Sequence, residues 1–417
     1  MSRRVVITGV GTVSALGNSA PETWENIVAG RSGIGPLTRF DPGDLPACLG
    51  IAGEVKGFTT DRILDRREAR RIDLFIQYAI AAADEALRSA GLGGLGPVPD
   101  PEETGVIVGS GIGGIPSIME TADLLRTRGS GRVSPFFITG SIINLAAGQI
   151  AMRTGATGPN FATVSACATS NHAIGEAMHI IRRGDAQMMI AGGTEAALTL
   201  ISFAAYHAAR ALATNYDSPE TASRPFDLRR NGFVHSEGAG ILVLEELESA
   251  RAREAPILAE VIGFGMSADA HHVTAPPEDG AGAARAMRKA IQSAALAPHQ
   301  VDYINAHATG TPIGDIAEAR AIHAVFGDHG ASVPISSTKS MIGHALGATA
   351  AIEAVLCTLA MRDGVMPPTI NLTDPDPLCD LNHVVGEAQR ADLDVVMSNS
   401  FGFGGANTSL VLKRWNG

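Results

Sequence analysis

The segment Ser165-Ala166-Cys167-Ala168-Thr169-Ser170-Asn171-His172-Ala173-Ile174-Gly175 has a counterpart in Ser340-Met341-Ile342-Gly343-His344-Ala345-Leu346-Gly347-Ala348, and this repetition limits the folds open to the chain. Around both, a short apolar segment ends in Gly, Ala, Ser and Thr and then enters an Ala-rich helical pattern. In the first half strands are expected at 104–108, around Cys167, at 187–191 and at 239–244. In the second they are expected at 301–305, within a strand-and-helix unit at 333–359, at 395–398 and at 409–412. That alternation implies α/β layering with sheets covered on both faces. A chain of 417 residues is too long for one ordinary core. We therefore expect two halves, 1–255 and 256–417, meeting where a charged helical stretch ends at Ala255-Pro256.

Cys167 stands at a helix entrance. Phe161-Ala162-Thr163-Val164-Ser165 reads as a strand, and the helical pattern begins near Asn171. The first turn of a helix has unpaired N–H groups and a partial positive charge, both of which favour a thiolate. The competing reading of a lone cysteine is a small buried hydrophobe. That suffices for Cys357, inside an apolar helical run, whereas Cys48 and Cys379 lie in Pro-containing loops. His307 and His344 occupy turns as rich in small residues as that of Cys167, and one Cys with two separated His is a candidate catalytic set.

Composition excludes several classes. No two cysteines have the Cys-x-x-Cys spacing of a zinc or redox site, so no metal is expected, and four irregularly spaced cysteines suit a reducing, cytoplasmic location. The start, Val5-Val6-Ile7-Thr8-Gly9, is too short for a signal-peptide core and reads as a first strand. No stretch approaches the ~20 apolar residues of a membrane span. A net charge of -11 argues against nucleic-acid binding. One segment runs the other way. Arg62, Arg66, Arg67, Arg70 and Arg71 crowd together, and on a helix they would line two adjacent faces. They form either a solvated face paired with Asp65, Glu68 and Asp73 or a dock for an acidic partner.

Two Gly-rich segments imitate nucleotide-binding motifs. Gly9-Val10-Gly11 is followed by Ser14 rather than a third glycine, and Gly109-Ser110-Gly111-Ile112-Gly113-Gly114 lacks the Lys-Ser/Thr of a phosphate loop. Tight strand-to-helix turns account for both.

Seven segments in order resemble the β-ketoacyl-acyl carrier protein synthase family, specifically its elongating type II members. They are Val5 to Gly11, Arg132-Val133-Ser134-Pro135-Phe136-Phe137, the Cys167 turn, Ser223-Arg224-Pro225-Phe226-Asp227, Asn305-Ala306-His307-Ala308-Thr309-Gly310-Thr311-Pro312-Ile313-Gly314-Asp315, Ser337-Thr338-Lys339 leading to His344, and Asn399-Ser400-Phe401-Gly402-Phe403-Gly404-Gly405-Ala406-Asn407. The resemblance implies a thiolase-like α/β fold of duplicated halves in a five-layered α-β-α-β-α sandwich, and a homodimer. It also implies an acyltransferase reaction of fatty acid biosynthesis. An acyl chain moves to the cysteine, and malonyl carrier protein then decarboxylates and attacks it, giving a 3-oxoacyl chain two carbons longer.

By the same resemblance, Cys167 matches the nucleophile, and His307 and His344 match the pair that binds the malonyl thioester carbonyl. Lys339 matches a lysine that organises the site. Phe403 matches the residue whose backbone N–H joins that of Cys167 around the oxyanion, with Phe401 and Phe403 in a Gly-rich gate. Thr309 and Thr311 match positions that bond the pantetheine arm, and Ile112 and Phe137 border the acyl tunnel. Arg67, Arg70, Arg71 and Arg210 match the surface that meets acyl- or malonyl-loaded acyl carrier protein. Phosphopantetheine arrives on that carrier, and no cofactor of the enzyme's own is implied.

The chain departs from the family pattern at Ala308, Gly310, Asn215 and the segment Val234-His235-Ser236-Glu237-Gly238. These departures touch no catalytic group, but they leave open a specialised lipid or polyketide pathway. A degradative thiolase would place a second cysteine where His344 stands, and a non-catalytic chain-length partner would lack Cys167.

Overall fold

The computed structural model describes residues 3–43 and 45–417. Strands β1 (Val5–Val13), β2 (Thr104–Gly109), β3 (Asn160–Phe161), β4 (Met188–Glu195) and β5 (Gly238–Glu246) come from the first half of the chain. From the second come β6 (Ala259–Ala268), β7 (Tyr303–Asn305), β8 (Pro334–Ser336), β9 (Asn382–His383), β10 (Val395–Gly402) and β11 (Ala406–Arg414). Outward from its first strand, each half has the same order: β1-β5-β4-β2-β3 in one and β6-β11-β10-β7-β8 in the other, with β9 an added edge. Strand directions repeat too, with two antiparallel pairs followed by two parallel ones. The half-sheets join where β1 and β6 run antiparallel through Val6↔Glu260 and Ile7↔Ala259.

Helices complete five layers. α1 (Leu74–Ser89) and α2 (Leu145–Thr154) cover the outer face of the first half-sheet. α3 (Thr169–Arg183) and α6 (Thr349–Asp363) lie in the middle and touch strands of both halves. α4 (Ala281–Ser293) covers the second half-sheet, with α5 (Pro312–Phe326) beside it. Hydrophobic clusters follow these layers: one around α3 and α6, one under α1 and α2, one under α4 and α5. The middle position explains the composition of α6, in which every residue from Thr349 to Met361 is buried. All nine residues of β1 are buried as well, as a strand covered on both faces requires. No helix among the described residues is long and apolar enough to cross a membrane.

The Gly-x-Gly of β1 has a packing reason. A Cβ on Gly9 would lie 2.1 Å from the Ala86 carbonyl oxygen, and one on Gly11 2.1 Å from that of Ala82, both in α1. The second half repeats the device: a Cβ on Gly263 would lie 2.4 Å from the Ala290 carbonyl oxygen, and one on Gly265 2.1 Å from that of Ala286, both in α4. In both halves, then, a bare strand backbone lies against an alanine face. Gly109 to Gly114 likewise form a tight turn, whose N–H groups converge on a carboxylate described below.

Several expectations change. β6 was absent from the expected pattern, although it opens the second half. The strand before Cys167 shrinks to Asn160–Phe161, and the helix starts at Thr169 rather than near Asn171. The arginine segment is no continuous helix: only Arg66–Ala69 is helical, capped by Asp65, whose carboxylate accepts the N–H groups of Arg67 and Glu68. The repeat register shifts too. Ala166–Ala168 and Leu346–Ala348 are matching 3-10 turns ahead of α3 and α6, each opening on a positive φ, at Ala166 (50°) and Leu346 (46°). The positional equivalent of Cys167 is therefore Gly347, and His344 sits three residues earlier.

Substituting Gly11→Ala or Gly265→Ala should each destabilise the fold by about 1–3 kcal/mol through overpacking, lowering the thermal midpoint. Gly96→Ala, where an added Cβ meets nothing within 4 Å, serves as the control and should leave it near wild type.

Candidate active site

The turn that carries Cys167 is held from several sides. The Ser400 hydroxyl donates to the Cys167 carbonyl (2.8 Å), the Ser165 N–H to the Thr169 hydroxyl (2.8 Å), and the Ser165 hydroxyl pairs with His172 Nδ1 (2.7 Å). Gly402 of β10 passes so close that a Cβ would lie 2.7 Å from the Ser165 carbonyl and 3.2 Å from the Cys167 nitrogen. These contacts hold Ala166 in the left-handed region, a conformation that costs a non-glycine residue on the order of 1 kcal/mol.

His344 arrives from the equivalent turn ahead of α6. Its Nε2 lies 3.0 Å from Cys167 Sγ, and its Nδ1 lies 2.9 Å from the Thr349 hydroxyl. Backbone bonds to Val234 and Ser236 fix its main chain. His307 follows β7, where Glu318 of α5 accepts the N–H groups of His307 (2.9 Å) and Ala308 (2.7 Å). The His307 ring stands edge-on to His344, with centroids 5.6 Å apart, and to Phe401 at the same distance. The thiol and one ring nitrogen from each histidine lie within 4.8 Å of one another. The three candidates from separate parts of the chain thus converge at one point.

Lys339 is buried behind them. Its ammonium pairs with Glu353 of α6 (2.6 Å) and donates to the Ala306 carbonyl (3.2 Å). Its charge sets the local electrostatics. Burial, and after it the Lys339 charge, push both histidines well below the ordinary imidazole pKa, so both are neutral. The thiol behaves differently from the expectation of an activated thiolate. Burial pushes Cys167 up to about 11, outweighing the lowering contributions of the Phe403 N–H, Lys339 and the residue's own N–H. The resting pair is a neutral thiol beside a neutral imidazole, because loss of hydration exceeds the benefit of the helix start.

These groups open on a cavity of about 380 Å³. Ile112, Tyr206, Phe233 and Leu346 line it, as do Thr309, Thr311, Phe401 and Phe403, and Arg210 lies at its exposed edge. Phe137 does not line it. That residue opens the short helix Phe137–Ser141. Arg67 and Arg70 are exposed, whereas Arg71 is half-buried with its guanidinium 4.2 Å over the Phe136 ring.

Sequence reasoning missed the carboxylates beneath the site. Glu195, at the end of β4, accepts the Ser110 hydroxyl (2.8 Å) and the N–H groups of Gly111 (2.7 Å), Ile112 (3.0 Å) and Gly347 (3.0 Å). It joins the Gly-rich turn after β2 to the turn ahead of α6. Glu318, Glu353 and Thr349 were also missed, as was the place of His272 on the cavity wall. A charged residue inside an otherwise apolar run, as at Glu353, was the available signal.

Comparison with known proteins matches this geometry. Residues 2–250 fit the family described as "Beta-ketoacyl synthase, N-terminal domain", and residues 258–373 fit its C-terminal domain. The chain is 50% identical to a 3-oxoacyl-[acyl-carrier-protein] synthase 2 of Coxiella burnetii, with 99% of each chain covered. Its identity to the protein of the same name from Synechocystis is 47%, covering 99% of this chain and 98% of the relative. Among solved structures, a β-ketoacyl synthase from Burkholderia phymatum superposes with a TM-score of 0.90 at 36% identity, covering 99% of this chain and 100% of the other. A type II polyketide ketosynthase in complex with its acyl-carrier protein gives 0.91 at 33% identity over the whole of both chains. Both halves of the sheet match in order and relatives match end to end, so the chain belongs to the β-ketoacyl synthase family.

Proposed function

We propose that this protein is a 3-oxoacyl-[acyl-carrier-protein] synthase, which extends an acyl chain held on Cys167 by two carbons taken from malonyl carrier protein in fatty acid biosynthesis. The observation that carries this reading is the convergence of Cys167, His307 and His344 at the base of one cavity. Identity of 47–50% to proteins named 3-oxoacyl-[acyl-carrier-protein] synthase 2, against 33% to a type II polyketide ketosynthase, favours it over a specialised pathway.

In the first step, Cys167 Sγ attacks the acyl thioester carbonyl while its proton passes to His344 Nε2, 3.0 Å away. The N–H groups of Cys167 and Phe403, both of which act on the thiol, hold the tetrahedral oxyanion. Its collapse releases the pantetheine thiol, which takes up the proton. In the second step, His307 and His344 donate N–H bonds to the malonyl thioester oxygen. The carboxylate leaves as carbon dioxide, and the bonding electrons form an enolate held by those donors in a water-poor pocket. The enolate carbon attacks the Cys167 thioester, and the thiolate leaves and takes a proton from solvent, the one proton the overall condensation consumes. His344 must accept at Nε2 in one step and donate there in the other. The Thr349 hydroxyl at Nδ1 supports this, since it can accept from or donate to the ring.

Residues 1–255 and 256–417 act as the two halves of the enzyme, one supplying the thiol and the other the histidines. Burial, with Lys339 after it, keeps both imidazoles neutral, and no cofactor or metal of the enzyme's own is needed. Thr309 and Thr311 on the cavity wall hold the pantetheine arm, while Arg210, Arg67 and Arg70 meet acidic carrier protein. Two copies of the chain pair along β3, an edge strand whose two residues are exposed. Four free cysteines suit a cytoplasmic enzyme.

Cys167→Ala should abolish acyl loading and condensation with the fold retained, and His307→Ala or His344→Ala should slow malonyl decarboxylation by about 10²- to 10³-fold; full condensation by the Cys167 variant sinks the assignment. Because the thiol titrates near 11, alkylation of Cys167 by iodoacetamide should rise about ten-fold per pH unit from pH 7 to 9, with no plateau. Reversing Arg67 and Arg210 to Glu should weaken carrier-protein binding most at low salt, and unchanged affinity would return these residues to a solvated surface. Light scattering of the same preparations should read two chains, and cell fractionation should find the enzyme with soluble cytoplasmic proteins.

A further inference from the structure

Among the polar side chains that line the cavity, Tyr206 is one that the condensation does not use. Tyr206 lies on the helix Leu200–Ala208 and lines the cavity beside Ile112, Ala209, Ala211, Phe233 and Leu346, all apolar. Its ring stands edge-on to Phe233 at 5.3 Å and to His235 at 5.5 Å. Phe233 stands edge-on to His344 at 5.3 Å, so the phenol is oriented by the same stack that flanks the catalytic imidazole. Its hydroxyl makes no hydrogen bond to any described residue, although the neighbouring polar groups, Glu195 and Ser110, are paired. Burial raises its pKa, and its electrostatic coupling to the Cys167 thiol and to Glu195 adds to this. The group is therefore a neutral O–H donor, close enough to Cys167 to be coupled to it electrostatically.

We propose that Tyr206 is a specificity residue that favours, among acyl chains of equal length, those carrying an oxygen on the first carbons beyond the thioester, as a hydroxyl or carbonyl group. Such an oxygen accepts the phenol O–H within an otherwise apolar wall. A saturated chain lying against the same wall removes that hydroxyl from water and leaves it unpaired. A pocket whose polar group waits for a substrate oxygen penalises the analogue that lacks one, whereas an all-apolar pocket discriminates weakly between the two. This inference rests on the condensing reading and narrows its acyl substrate.

The test compares wild type with Tyr206→Phe, which keeps the ring stack and removes only the hydroxyl. Each enzyme receives a saturated acyl carrier protein and its 3-hydroxy counterpart of the same length, and mass spectrometry follows transfer to Cys167. The ratio of 3-hydroxy to saturated loading should fall about ten-fold in the variant, while its malonyl decarboxylation stays at the wild-type rate. An unchanged ratio overturns the proposal, and so does an equal loss of both loadings together with decarboxylation, which would make Tyr206 a support for Phe233 and His344. If wild type loads neither chain, the condensing reading itself fails, a result distinct from an unchanged ratio.

Discussion

Two helices buried between two half-sheets impose the constraint on which the rest of this structure depends. Their N-terminal N–H groups have no water to turn to, and each must find an acceptor within the protein. The Ser170 hydroxyl of α3 accepts the Ala351 N–H of α6 (2.9 Å), and Glu195 accepts that of Gly347 while also gathering the turn after β2. The helix starts are therefore tied to each other as well as to the sheets. Cys167 and His344 sit on the two turns so joined, and their 3.0 Å contact follows from that.

Burial also explains the charge arrangement. Glu353 lies in a helix buried from Thr349 to Met361, and Lys339 is the cation beside it. An isolated charge there would be strongly unfavourable, and the pair is tolerable because each neutralises the other. Burial holds the histidines neutral and the field of Lys339 adds to it, and neutral imidazoles with one N–H each suit both proton acceptance from a thiol and stabilisation of an enolate. One ion pair thus serves the core and the chemistry together.

Much of this was legible in the chain. The strand-turn-helix repetition, the singular surroundings of Cys167 and the two histidines in small-residue turns were all visible, and the seven segments named the family. Other features were not. β6 escaped notice because Gly263 and Gly265, which let it lie against α4, also dilute its apolar alternation. The arginine segment looked helical by spacing, yet Asp65 caps a separate turn within it. Aligning the repeats by their visible serines paired Cys167 with His344, whereas the backbone pairs it with Gly347. Side-chain identity is free to differ at positions whose backbone geometry is the same.

By itself the sequence determined the layered α/β class and singled out Cys167, His307 and His344 as a candidate set, because periodicity and local residue chemistry are properties of short segments. Only the tertiary structure decided that the thiol is protonated at rest, that Glu195, Glu318 and Glu353 brace the site, and that Phe137 is not among the residues lining the cavity. These depend on which groups lose water and which acquire a neighbour hundreds of residues away. Hydration and long-range pairing are set by packing, and no local pattern in the chain records them.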